Sequence, residues 1–276
     1  MKKFDRISET FSYLKEKNKS AMIAFLTAGD PTFKISLEIV KGMPARGVDI
    51  IEIGMPFSDP MADGETIQKS YKRSLIAGNN MDKTLKLISS FRKKNKTTPI
   101  VLMGYFNPIY YIGVKNFVSK ALNAGADGLL IVDFPPEVDS EINKNEIKKK
   151  INFIRLATPT TNKNRLKKII ASTSGFLYYV SITGITGNEI RNVDFIRKKY
   201  MELKKSINIP FVVGFGINTP KKAMQVAEYS DGVVIGSALV REIEKCGKNH
   251  KDVANKVLNL ISKYVKAIKK ARINLK

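Results

Sequence analysis

Two acidic residues lie in a part of the chain where a carboxylate is costly to hold. Glu52 interrupts an apolar run, Ile-Ile-Glu-Ile-Gly, that otherwise has the composition of a core β-strand. An unpaired carboxylate in such a strand costs several kcal/mol or has a raised pKa. Asp63 follows eleven positions later, after Pro56 and Pro60 have restricted the intervening loop. Two carboxylates held in this way suit general acid–base catalysis.

Cysteine and histidine, the other residue types that often carry catalysis, are each present only once. The chain has one cysteine, Cys246, and one histidine, His250. A single cysteine forms no internal disulfide, and Cys246 lies in an amphipathic segment where we expect a packed or idle thiol. One histidine argues against histidine-based catalytic triads and histidine-rich metal sites. We therefore assign the chemistry to the acids and expect no metal.

Length and composition fit one large α/β-barrel domain covering residues 1–276. The hydrophobic fraction of 43% is enough for a sizeable core. No stretch approaches the roughly 18 consecutive apolar residues that a membrane span needs. The first residues, Met-Lys-Lys-Phe-Asp-Arg, lack the apolar segment of a signal peptide. We expect a cytoplasmic protein without membrane contact.

The net charge of +23 raises nucleic acid as a possible partner class. Its distribution argues against that class, because the basic clusters fall near the ends of expected helices, where cations complement the helix dipole and stay solvated. A non-catalytic basic module that binds nucleic acid remains the alternative from a different functional class. The clusters are Arg92-Lys93-Lys94, Lys148-Lys149-Lys150, Arg197-Lys198-Lys199 and Lys269-Lys270.

Short apolar runs alternate with longer helix-patterned segments, which is typical of repeated βα units. Eight such units close into a (β/α)8 TIM barrel, whereas a doubly wound sheet is the alternative. Helical spacing of Phe4, Ile7, Phe11 and Leu14 predicts an extra N-terminal helix over 4–15 that covers the bottom of the barrel. The predicted strands are 21–27, 50–53, 100–103, 128–132, 152–156, 177–180, 211–213 and 233–235.

Similar short sequences precede several strands. Gly47-Val48-Asp49, Gly125-Ala126-Asp127 and Ser230-Asp231-Gly232 each end a predicted helix and begin a strand, which indicates a degenerate internal repeat. Pro44 is a departure from the regular pattern, because it removes a helix hydrogen bond and should bend or end the first barrel helix early.

Glycines after the last two strands predict a phosphate site. Gly214 and Gly216 follow the seventh strand, and Gly236-Ser237 follows the eighth. Barrels commonly bind phosphate at these two loops, with a helix N-terminus directing backbone N–H groups at the anion. After the sixth strand, the segment 181–187 contains two glycines and three hydroxyl side chains, which is typical of a loop that folds over a ligand.

The segment Phe57-Ser58-Asp59-Pro60-x-Ala62-Asp63-Gly64 closely resembles the tryptophan synthase α chain family, and the resemblance covers essentially the whole chain. Met61 replaces the leucine usual at that position, which nearly conserves volume. The resemblance implies cleavage of indole-3-glycerol phosphate to indole and glyceraldehyde 3-phosphate. It also implies that Thr186 bonds Asp63 in the closed site and that Gly187 helps to hold the phosphate.

The resemblance further assigns roles in a retro-aldol reaction. Glu52 transfers protons at indole C3 and at the adjacent glycerol hydroxyl, Asp63 stabilises charge at the indole N–H, and Tyr178 orients the carboxylates. The residues that match family positions around the indole ring are Phe25, Ile67, Met103, Tyr178 and Phe215.

No cofactor is expected in this chain. The resemblance implies a pyridoxal-phosphate-dependent β chain as partner in an α2β2 assembly, docked on the loop 56–63 and on a turn at Asn107-Pro108. Another phosphate-binding barrel, such as indole-3-glycerol phosphate synthase, is the enzymatic alternative, and an essential lysine at a strand end would favour it.

Overall fold

Strands and helices alternate along the chain in the order that the apolar runs predict. The computed structural model describes residues 5–141, 150–180, 193–214, 216–247 and 250–272. The strands are β1 Ala21–Thr27, β2 Ile50–Gly54, β3 Ile100–Gly104, β4 Gly128–Ile131, β5 Asn152–Ala157, β6 Leu177–Val180, β7 Phe211–Gly214 and β8 Gly232–Ile235. The helices are α1 Arg6–Glu16, α2 Phe33–Gly42, α3 Glu65–Ile76, α4 Met81–Arg92, α5 Phe106–Ile112, α6 Val114–Ala124, α7 Lys163–Ala171, α8 Val193–Lys204, α9 Pro220–Ala227, α10 Ser237–Lys245 and α11 Val253–Lys270.

The strands form a closed parallel barrel in the order β1 to β8, with β8 paired to β1. This confirms the predicted (β/α)8 TIM barrel, and each strand begins and ends within one residue of its predicted position. Among the described helices, none combines the length and apolar character needed to cross a lipid bilayer.

Two apolar layers surround the strands, because successive side chains point to opposite faces of a sheet. On β1, Ile23 and Phe25 face the barrel interior, whereas Ala24 and Leu26 face the surrounding helices. Both sets are buried, which explains why the strand is apolar throughout.

Helix α1 closes the bottom of the barrel. The Asp5 carboxylate caps it by accepting the N–H groups of Ile7 at 3.1 Å and Ser8 at 3.3 Å. Ile7, Phe11 and Leu14 belong to the interior core, which confirms the predicted N-terminal helix. Phe4, which was expected to contribute to it, lies outside the described residues.

The degenerate repeat corresponds to a recurring hydrogen-bond arrangement at the bottom of the barrel. Asp49, Asp127 and Asp231 each precede one strand and accept a backbone N–H from the start of the preceding strand. Each of these carboxylate bonds is 2.8 Å long, and the donors are Met22, Ile100 and Phe211. The aspartates therefore join neighbouring strands where their ladder hydrogen bonds begin.

Local expectations about three loops and clusters have mixed outcomes. Helix α2 ends at Gly42, and a 3-10 turn runs over Pro44–Arg46, so the early end that Pro44 predicts is confirmed. The turn expected at Asn107-Pro108 is wrong, because both residues lie in the first turn of α5, where proline is tolerated.

The solvated state expected for the basic cluster at the end of α4 is wrong for Arg92. Its buried guanidinium donates to the Asp127 carboxylate at 2.6 Å.

Candidate active site

Glu52 lies at the carboxyl end of the barrel, the end where parallel strands terminate and where TIM-barrel active sites are found. It is the third residue of β2 and is in register with Phe25 of β1 and Val101 of β3. Only 1% of its surface is exposed, and among the residues that the structure describes neither carboxylate oxygen has a hydrogen-bond partner. Burial, and secondarily the charge of Asp63, raises the pKa of Glu52 to about 8.

Asp63 is held at the end of a short, internally bonded loop. Its N–H bonds to the carbonyl oxygen of Pro60 at 3.0 Å, and its own carbonyl accepts the side-chain amide of Gln68 at 2.7 Å. The carboxylate is buried and accepts the Tyr105 hydroxyl at 2.7 Å. Burial raises the pKa of Asp63 to about 6, and the hydrogen bond from Tyr105 opposes this rise. The two acids therefore have different proton affinities in one site.

Tyr105 is a site residue that sequence reasoning missed. It follows β3 directly, and its hydroxyl oxygen also accepts the Ala62 N–H at 3.1 Å while it donates to Asp63. One hydroxyl thus fixes both the loop backbone and the carboxylate. The signal in the sequence that points to it is a polar aromatic residue immediately after the end of a strand.

Tyr178 lies on β6 and lines the same cavity as the two acids. Burial, followed by the charges of Glu52 and Asp63, raises the pKa of Tyr178 well above its usual value, so the hydroxyl keeps its proton. A Cβ atom at Gly214 would lie 2.1 Å from this hydroxyl oxygen. Glycine at position 214 therefore provides the space that the Tyr178 ring occupies.

The space between the residues that line the cavity is about 540 Å³, and this value includes space that is open to solvent. Its apolar wall contains Phe25, Ile67 and Met103, all three predicted from the resemblance, together with Val234. Phe25 also lies against Gly54, where an added Cβ would come within 2.6 Å of the ring. A flat apolar ring such as indole suits a wall of this composition.

A glycine-rich part of the cavity lining contains Gly216, Gly236 and Ser237. Gly216 has φ of +71°, a left-handed conformation that favours glycine. Gly236 is the N-cap of α10, and no side chain caps this helix. Its first N–H groups are therefore available to an anion. Asn218 and Arg241 also line the cavity, and neither was predicted.

Three predicted site residues cannot be placed. Thr186 and Gly187 of the loop after β6, and Phe215 after β7, lie outside the described residues. Within the described part of the chain, no group of three or more His, Cys, Asp or Glu side chains is arranged to hold a metal ion. No lysine is among the described residues that line the cavity.

A model of the protein family described as tryptophan synthase alpha chain matches residues 11–269. The chain belongs to this family. Its function is therefore the α reaction of tryptophan synthase, the cleavage of indole-3-glycerol phosphate in tryptophan biosynthesis. The family is one of lyases and implies a β chain as partner.

Solved structures of tryptophan synthases support this assignment. The tryptophan synthase subunit alpha from Legionella pneumophila str. Paris is 36% identical, with a TM-score of 0.90 over 97% of this chain and 100% of that chain. The tryptophan synthase alpha chain from Legionella pneumophila subsp. pneumophila is 34% identical, with a TM-score of 0.89 over 99% and 100%. Tryptophan synthase from M. tuberculosis, in an aminoacrylate-bound form, is 26% identical, with a TM-score of 0.84 over 96% and 100%.

Membership in the tryptophan synthase alpha chain family decides between the alternatives raised from the sequence. Neither an indole-3-glycerol phosphate synthase nor a non-catalytic basic module is favoured by these comparisons. The absence of lysine from the described cavity wall agrees with this outcome, since an essential lysine at a strand end was the feature expected of the synthase.

Proposed function

We propose that Glu52 and Asp63 divide the acid–base work of a retro-aldol cleavage between them. The observation that carries this proposal is a buried Glu52 carboxyl that has no hydrogen-bond partner among the described residues and that lines the same solvent-connected cavity as Asp63. Buried polar groups are normally satisfied within the fold. An unsatisfied one that faces a ligand-sized cavity is available to a substrate.

Glu52 is the general acid and then the base. With a pKa of about 8, its carboxyl carries a proton at neutral pH before substrate binds. It donates this proton to indole C3, which makes the ring an electron sink. The carboxylate then accepts the proton of the adjacent glycerol hydroxyl, and the C–C bond breaks as indole and the aldehyde form. Glu52 ends the cycle protonated.

Asp63 stabilises the positive charge that forms at the indole nitrogen when C3 is protonated. Its pKa of about 6 leaves the carboxylate mainly ionised at neutral pH, which is the state that an N–H⁺ group requires. Tyr105 holds the carboxylate through one hydroxyl hydrogen bond. Tyr178 keeps its proton and presents a hydroxyl to the same cavity, and we assign it to orienting the two acids.

The remaining site residues bind the two ends of the substrate. Phe25, Ile67 and Met103 contact the indole ring, and Gly216, Gly236 and Ser237 hold the phosphate. From the family resemblance, we further assign Phe215 to the indole ring, Thr186 to Asp63 in the closed site, and Gly187 to the phosphate.

The reaction makes the chain a carbon–carbon/carbon–oxygen lyase that needs no cofactor of its own. We place pyridoxal phosphate on the β chain, in an α2β2 assembly in the cytoplasm. The β chain docks on the carboxyl end of the barrel, where Met61, Tyr110 and Tyr111 are 76%, 67% and 90% exposed. An apolar exposed surface beside the site suits a partner that receives indole directly.

Purified chain incubated with indole-3-glycerol phosphate is expected to release indole. Failure of indole to form, in the presence and absence of β chain, would contradict the assigned reaction. Titration of β chain into this assay, with Asp59→Ala and Pro60→Ala as variants, tests the docking surface. Asp59 is exposed and Pro60 buried in the same loop. Undiminished activation in both variants, with losses from substitutions at the opposite end of the barrel, would place the interface elsewhere.

A further inference from the structure

Helix α10 presents more than its N-terminus to the cavity. Arg241 is four residues after Ser237, so the two side chains lie on the same face of the helix. Both residues line the cavity that contains Glu52. The helix terminus supplies backbone N–H groups, and one turn later the helix supplies a guanidinium.

The guanidinium of Arg241 has no counter-ion among the described residues. Among the residues that the structure describes, no carboxylate forms an ion pair with it, and none of the described hydrogen bonds uses its guanidinium. The acids nearest to it in sequence are engaged elsewhere. Glu242 pairs with Lys245 at 3.4 Å, and Glu244 lies 3.8 Å from Arg73 and 3.9 Å from Lys69 of α3.

The contacts of Glu244 also restrict how α10 can turn. They join α10 to α3, α10 also packs on α11, and its residues Leu239, Val240 and Ile243 are buried. Arg241 is only partly exposed. A fixed helix with a half-buried arginine at a cavity wall is arranged to meet an anion there.

We propose that Arg241 is a second anchor for the phosphate group of the substrate, in addition to the backbone N–H groups at the N-terminus of α10. The inference rests on the proposed placement of the phosphate at Gly216, Gly236 and Ser237. A phosphate group has three terminal oxygens, and the planar guanidinium donates to two of them while the helix N–H groups bond the third. Charge neutralisation by arginine complements the partial charge of the helix terminus.

The position of Arg241 predicts which kinetic constant it controls. The phosphate is remote from indole C3 and keeps its charge throughout the reaction. An interaction with it stabilises the bound substrate and the transition state equally, so its loss raises KM and leaves kcat nearly unchanged. The loss of one charge-assisted hydrogen-bond pair corresponds to about a 10- to 100-fold rise in KM.

The test compares Arg241→Gln, Arg241→Lys and a matched control, Lys245→Gln, which removes the same charge from an exposed side chain of the same helix (73% exposed). Steady-state indole release gives KM and kcat. Calorimetric titration gives the affinities for inorganic phosphate and, separately, for indole, which has no phosphate. We expect Arg241→Gln to raise KM about 10- to 100-fold and to weaken phosphate binding, with kcat within about threefold and indole affinity unchanged. Arg241→Lys should recover part of the affinity, and Lys245→Gln should match the wild type.

Two results would overturn the role of Arg241. One is equal phosphate affinity in wild type and Arg241→Gln. The other is an equal loss of phosphate and indole affinity, which would show a general disturbance of the cavity. The proposed reaction fails separately, if wild-type chain binds phosphate but releases no indole with or without β chain. In that case the phosphate titrations still decide whether Arg241 contacts the anion.

Discussion

Buried carboxylates occur at both ends of the barrel, and their surroundings are opposite. At the amino end, where the strands begin, Asp127 accepts Arg6 at 2.7 Å, Arg92 at 2.6 Å and the Ile100 N–H at 2.8 Å. At the carboxyl end, neither oxygen of Glu52 has a hydrogen-bond partner in the part of the chain that the structure describes. The same fold thus contains one acid that is fully satisfied and one that is kept unsatisfied.

The difference shows how a barrel separates stability from catalysis. Asp127 at the amino end joins two neighbouring strands and holds an arginine from α1 and one from α4, so both of its oxygens already have partners. Glu52 contributes no such bond, and its pKa of about 8 reflects a site that disfavours its charge. Satisfied acids stabilise the fold, whereas the unsatisfied acid is available for proton transfer.

The largest expected effect is the pH dependence of stability that Glu52 causes. Its pKa rises from 4.5 in the unfolded chain to about 8 in the fold, so between these values the folded chain holds the proton more tightly. The contribution of Glu52 to the free energy of unfolding is fully present below pH 4.5 and is lost as the pH rises through 8. The total loss is on the order of 5 kcal/mol. Urea unfolding of wild type and Glu52→Gln at pH 5, 7 and 9 measures this pH dependence of the free energy of unfolding. A difference between the two that is constant across pH would contradict the raised pKa.

Asp127→Ala should lower the free energy of unfolding by about 3 to 5 kcal/mol, because it leaves Arg92 buried without its partner. Activity of the remaining folded chain should be unchanged, since Asp127 is at the other end of the barrel. Asp82→Ala is the control, because Asp82 pairs with Lys120 at 3.3 Å on an exposed surface. That change should cost less than about 1 kcal/mol. Equal losses in the two variants would remove the contrast between buried and exposed acids.

Glu52→Gln should lower kcat by a factor on the order of 10² or more, while the fold stays intact. The amide is nearly isosteric but cannot transfer the proton. Glu65→Gln, an exposed acid of α3, is the control and should retain activity. The rate of indole release at saturating substrate gives kcat for both variants, and circular dichroism checks that both are folded. Turnover at the wild-type level in Glu52→Gln would exclude this residue from the mechanism.

Asp63→Asn should lower kcat by about 10- to 100-fold, because a neutral amide does not balance charge on the indole nitrogen in a site of low dielectric. The separate measurement of kcat and KM distinguishes this role from simple binding. A change confined to KM would make Asp63 a binding residue only.

The smallest expected effect is that of Tyr105→Phe. The hydrogen bond from Tyr105 lowers the pKa of Asp63, so its loss should raise that pKa above about 6 and protonate more of the carboxylate near neutral pH. We expect a loss of about two- to tenfold in kcat/KM that is largest below pH 7. Tyr13→Phe, which changes a hydroxyl on an exposed ring of α1 at the other end of the barrel, is the control. Identical pH–rate profiles for wild type and Tyr105→Phe would show that the hydroxyl does not tune Asp63.

The sequence by itself determined the strands, the N-terminal helix and the two acids. These follow from local patterns, since a period of two or 3.6 residues and a charged residue inside an apolar run are visible within a dozen positions. The repeated aspartates before the strands were also visible, although their function was not.

Only the tertiary structure decided what the acids touch. Tyr105 reaches Asp63 across 42 positions, and Arg6 reaches Asp127 across 121. Arg241 enters the cavity of Glu52 because β8 pairs with β1 when the barrel closes. Closure of the barrel fixes the stagger between neighbouring strands, and the stagger decides which side chains share a layer of the interior. The periodicity of residues within one strand does not contain this information. The same closure leaves Glu52 unsatisfied and Asp127 satisfied.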